Sequence, residues 1–125
     1  MNPPPATLVT SIVVYLAGAR APAVRRLALE FLIQLLRDDD PLTRWGTVDC
    51  LLRTPTRLYL APLLERLQEE DQSPELRACL NGLRKIAYRG YPATSAEVVR
   101  MHARLKFSLY LLADLRPRDV LKPEG

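Results

Sequence analysis

The sequence predicts an all-α fold of six antiparallel helices, stacked as about three helix pairs into an α-α superhelix. Three observations carry that expectation. Apolar residues recur at helical spacing through six stretches, and no stretch alternates as a strand would. A capping residue followed by proline marks helix starts at Asp40-Pro41 and Ser73-Pro74, 33 residues apart. The breaks between stretches are short, which favours antiparallel neighbours. At 125 residues the chain is expected to form one domain, 1–125, with a loose Pro-rich leader at 1–6 and a frayed tail at 118–125.

The first helix is expected over 7–18. It is apolar almost all round, so cover on most sides or an interface is expected. The run Leu8 to Ala19 has the length of a signal-peptide core, but Pro3-Pro4-Pro5 stands where basic residues belong. It is too short for a membrane span, which needs about 20 apolar residues.

Pro22 opens the second helix, 22–38. Val24, Leu27, Ala28, Phe31, Leu32, Leu35 and Leu36 form its stripe, widened by Leu29 and Ile33. Arg26 and Glu30 are spaced for an ion pair on the wet edge. Asp38-Asp39-Asp40 then stops one helix and starts the next, over 41–53, with Leu42, Trp45, Val48, Leu51 and Leu52 turned inward. Thr54-Pro55-Thr56 breaks that run. A short helix follows from Pro62 to about Glu70, marked by Leu63, Leu64 and Leu67.

Ser73 caps and Pro74 opens the fifth helix, to Ala87, with Leu76, Cys79, Leu80, Leu83 and Ile86 on one stripe. Gly82 within it costs about 1 kcal/mol against Ala, which implies close packing on a neighbour. After a loop at Tyr88-Arg89-Gly90-Tyr91-Pro92, Ser95 is expected to cap the last helix, 96–115. Val98, Met101, His102, Leu105, Leu109 and Leu112 share its apolar face.

Composition narrows function. Apolar residues make up 48% and charged residues 26%, so a core can form without disulfides. Cys50 and Cys79 lack ligand spacing and suit small core positions. With the single His102 they are too few for a metal site, and no cofactor is expected. A reducing, cytoplasmic compartment fits such cysteine usage. Net charge is +4, from 15 Arg and 3 Lys against 14 acids, which permits an acidic partner or nucleic acid.

Three segments resemble one another: Pro22-Ala23-Val24-Arg25, Pro41-Leu42-Thr43-Arg44 and Pro74-Glu75-Leu76-Arg77. With Leu60-Ala61-Pro62-Leu63-Leu64-Glu65-Arg66-Leu67, the stretch 39–87 resembles HEAT repeats, especially the short bacterial HEAT-like type of phycobilisome-lyase proteins. The resemblance implies helix pairs whose first helix starts at the Asp-Pro cap. It departs at Pro22 to Pro41, 19 residues and too short for a pair, and in the last helix, which has no start motif. The role read from it is a non-catalytic protein-interaction or scaffold module; the resemblance also permits an enzyme, since some HEAT-like proteins act on DNA bases or attach bilins, and a pocket holding His102 or Trp45 beside an acid would point that way.

No catalytic constellation stands out. His102 reads as a structural residue and Trp45 as core packing. The acids at 38–40 and 69–71 read as caps, and no nucleophile motif or phosphate loop is present. The chemistry-bearing candidates are basic: Arg84, Lys85, Arg89, Arg100, Arg104 and Lys106, interleaved with Tyr88 and Tyr91. Such a set suits phosphate contact with base stacking. Its alternative is a solvated face whose Arg stems cover apolar surface. Expected partners are thus another protein or a second copy of the chain, with nucleic acid as the alternative and no membrane.

Overall fold

The computed structural model describes residues 7–87 and 94–114. Their elements are α1 (Thr7–Leu16), α2 (Pro22–Leu36), α3 (Pro41–Arg53), a 3-10 turn (Thr56–Leu58), α4 (Leu60–Leu67), α5 (Pro74–Ala87) and α6 (Ser95–Leu112). The described residues are all-α, with six α-helices and no strand. The leader, the loop 88–93 and the tail lie outside them.

Helix starts follow local chemistry. Asp40 Oδ1 accepts from the Leu42 amide at 3.0 Å, and Pro41 takes the first position. Ser73 Oγ accepts from the Leu76 amide at 3.1 Å. Both satisfy amides that the first turn leaves without partners. The expected cap at Ser95 is corrected by one residue. Thr94 is the cap, its Oγ1 accepting from the Glu97 amide while the Glu97 carboxylate accepts from the Thr94 amide. That reciprocal pair needs a Glu at the third helical position, which only a cap at Thr94 provides.

Helix ends are also earlier than the periodicity suggests. α2 stops at Leu36, and Arg44 Nη1 donates to the Asp38 and Asp39 carbonyls beyond it at 2.7 and 3.2 Å. α6 stops at Leu112, where Asp114 takes a left-handed φ of 51°. α4 begins two residues before Pro62, which is harmless because first-turn amides have no helical partner anyway.

Consecutive helices pack on one another: α1 on α2, α2 on α3, α4 on α5 and α5 on α6. Contacts of α1 with α3, α2 with α4 and α3 with α6 close the core. α5 and α6 run antiparallel, since Leu76 lines one cleft with Leu111 and Leu112 at one end and Ile86 lines another with Met101 at the other. Leu32, Leu36, Leu51, Leu63, Leu67, Leu80, Leu83 and Leu109 are fully buried between these helices. Each contributes about 1.5–3 kcal/mol relative to exposure.

Two glycines permit close approach. A methyl group on Gly82 would collide with Ser108 Oγ, so α5 and α6 come together at a point where α5 has no side chain. A methyl group on Gly18 would collide with the Leu58 carbonyl oxygen, which lets the α1–α2 turn lie against the 3-10 turn. Tyr59 follows that turn, fully buried, and donates its hydroxyl proton to the Leu51 carbonyl at 2.8 Å. It thereby adds a second donor to a carbonyl at the end of α3 that the Thr54 amide also serves.

Four apolar stripes are narrower than expected. α1 is not covered on most sides: Ile12 and Tyr15 are 53% and 70% exposed, while Val14 and Ala17 are buried. On α2 the buried line is Ala28, Leu29, Leu32, Ile33 and Leu36, and Val24, Leu27 and Phe31 lie outside it. On α3, Leu42 at its first turn is exposed. On α6, Val98 and His102 are exposed, so the reading of His102 as part of a buried stripe is corrected. The reason is geometric. A helix with apolar residues on more than one flank has several possible inward faces, and its neighbours select one.

Candidate functional site

Charged residues form the most extensive side-chain network. Arg66, near the end of α4, donates to both Glu30 carboxylate oxygens on α2, through Nε and, at 3.1 Å, Nη2. Arg26 reaches Glu30 at 3.9 Å and Glu69 at 3.3 Å. Arg37 binds Glu70 through two nitrogens at 2.6 and 3.1 Å, and Arg66 lies 3.5 Å from Glu70. The hydrogen bonds from Arg66 hold the Glu30 carboxyl below the usual carboxylate range. Three arginines and three glutamates thus bind α2 to α4 and the residues after it. Charge is balanced within the set, so it reads as a clamp and not as a site. Arg26–Glu30 and Arg66–Glu70 lie four residues apart, within reach of a sequence reading, and the pairs that join the helices are 33 to 43 residues apart.

The predicted basic set is dispersed. Arg84 is half-buried and donates to Asn81 Oδ1 at 3.1 Å. With the Gln68 amide turned to accept, its oxygen also lies 3.1 Å from Arg84 Nε and Nη2. Lys85, one position on, is exposed. Arg100 and Arg104 fall four apart on α6, the first exposed and the second half-buried. Lys106 Nζ sits 5.6 Å from the centre of the Tyr110 ring. Tyr88, Arg89 and Tyr91 lie outside the described residues.

Cys50 and Cys79 are free and buried, as small core residues should be. Cys79 Sγ donates to the Ser108 carbonyl at 3.2 Å, and burial pushes its thiol up to about 12. Trp45 is half-buried against the core, in keeping with packing. Among the described residues no group of three or more His, Cys, Asp or Glu is placed to hold a metal ion. No described helix is long and apolar enough to cross a membrane.

Three surface features remain. Leu27 is 72% exposed, with Val24 and Phe31 along the same flank of α2. The second is a cleft of about 460 Å³ between the start of α5 and the end of α6, with Glu70 and Asp71 on its rim. A smaller apolar cleft of about 190 Å³ lies at the other end of α5, around Leu60, Ile86 and Met101.

No family model, curated protein or solved structure matches the chain.

Proposed function

We propose that this protein is a non-catalytic protein-interaction or scaffold module whose helices form a HEAT-like stack. The observation that carries this reading is the exposed apolar flank of α2: Val24, Leu27 and Phe31, spaced by three and four residues. Exposed Ile12 and Tyr15 on α1, the helix packed against α2, support it. Apolar side chains grouped on neighbouring helices mark interaction surfaces more often than apolar residues scattered singly. The repeated Pro-x-Leu/Val-Arg starts support the HEAT-like reading, and a cytoplasmic setting agrees with two unpaired thiols.

The test compares wild-type protein with Leu27→Asp/Phe31→Asp in sedimentation and in capture of partners from the source cell. The reading predicts an oligomer or a defined partner, lost in the variant while helicity is kept. Identical behaviour of the two proteins counts against it.

Nucleic-acid binding is the second reading, supported by Arg100 and Arg104 on one face of α6 and by the net charge of +4. It predicts binding that weakens steeply with salt and on neutralising Arg100, Arg104 and Lys85. No binding at low salt excludes it.

A further inference from the structure

The cleft between α5 and α6 has a character unlike the rest of the molecule. Its floor is apolar: Leu76, Leu111 and Leu112 are half-buried there and packed on the core. Tyr110 joins them. Around that floor stand four carboxylates, Glu70, Asp71, Glu75 and Asp114, against one cation, Arg37. Arg37 is already held by Glu70 through both terminal nitrogens. Lys106 is directed at the Tyr110 ring from the preceding turn of α6. No ion pair engages Asp71, Glu75 or Asp114 among the described residues.

The helix dipoles at the cleft oppose each other: α6 ends there with no basic residue in its last turn, while α5 starts there with Glu75 in its first turn. The local field is therefore set by the side chains, with Asp114 adding a full negative charge at the α6 end. Among the described residues the cleft is therefore locally negative, in a chain whose net charge is +4. The Arg37–Glu70 pair displays, at the same cleft, the two-nitrogen geometry by which a carboxylate holds a guanidinium.

We propose that this cleft is a docking site for a basic segment of a protein partner, with arginine side chains on Asp71, Glu75 and Asp114 and apolar side chains on Leu76 and Leu111. Arginine fits both halves of the site. Its planar head pairs with carboxylates, and its methylene stem covers apolar surface. The residues involved are separate from the α1 and α2 flanks, so this proposal and the apolar-surface reading stand or fall independently.

The experiment titrates the full chain with a fluorescein-labelled Arg-Leu-Ser-Arg-Leu peptide at low salt, following anisotropy and backbone amide resonances. A matching peptide with Glu in place of Arg is the control. The arginine peptide is expected to bind, to shift the amides of Leu76, Leu111 and Leu112, and to lose about tenfold in affinity with Asp71→Lys/Glu75→Lys. Any of three results overturns the proposal: no binding of the arginine peptide, equal binding of the glutamate control, or shifts centred on other helices. The amide shifts are measured on the wild-type chain, so the test holds whether or not the variant folds.

Discussion

Gly82 and Ser108 occupy the same point of the α5–α6 contact, and Ser108 Oγ fills the space a side chain on Gly82 would need. Ser108 is itself buried. The helix cost of glycine, about 1 kcal/mol, is thus offset by close approach of two helices that carry much of the core.

The pair predicts a sign change. Gly82→Ala alone should destabilise by about 1 kcal/mol, the clash with Ser108 exceeding the gain in helix propensity. In a Ser108→Ala background the same change should be neutral or stabilising, because the Ser108 Cβ is at ordinary contact distance, 3.4 Å. Urea unfolding of the four proteins measures the cycle. Additive effects would show that the two positions do not share this space.

Tyr59→Phe should cost about 1 kcal/mol, the ordinary net value of one buried hydrogen bond. The loss stays modest because the Leu51 carbonyl also accepts from the Thr54 amide at 3.2 Å. The expected record is a lower urea midpoint at unchanged slope. A changed slope would mean that the hydroxyl shapes more than this one contact.

Stability at acid pH should depend on Glu30. Its folded-state pKa is lowered, chiefly by the Arg66 hydrogen bonds, so its contribution is complete above the unfolded carboxylate value of about 4.3. It is lost as pH falls through the lower folded value. The magnitude should stay below about 1 kcal/mol, since Glu30 is 39% exposed and screened by solvent. Glu30→Gln should therefore be less stable than wild type at pH 7 and indistinguishable from it in acid, at a pH below the lowered folded value. Thermal unfolding at the two pH values tests this, and a difference that persists in acid would refute the assignment.

Neither cysteine should react with a disulfide reagent while the chain is folded. Cys79 is fully buried, and its raised pKa keeps it a thiol through neutral pH. Cys50 is 4% exposed. Labelling should follow urea unfolding, with two thiols released together. Rapid labelling of one thiol in native buffer would reveal local opening of α3 or α5.

Much of the helix order was legible because its causes are local. Asp40-Pro41 and Ser73-Pro74 carry their own caps, and the apolar spacing of α5 admits one inward face. The cap of α6 was missed by one residue because Thr94 and Ser95 both suit the role, and the side-chain partner, Glu97, decides between them. The candidate site was less legible. The basic set is contiguous in sequence, but Arg84 turns to Asn81 and Gln68 while Arg100 and Arg104 stand on another helix.

The sequence alone determined that this chain is helical, where α2, α3 and α5 begin, and that Gly82 would meet a close neighbour, because caps, prolines and apolar spacing act within one or two turns. Only the tertiary structure decided which neighbour Gly82 meets and which flank of α2 faces water. It alone joined Arg66 to Glu30 and brought the acids after α4 beside the end of α6. Those relationships depend on helix pairs packed across tens of residues, where several inward faces of similar apolarity compete and packing selects among them.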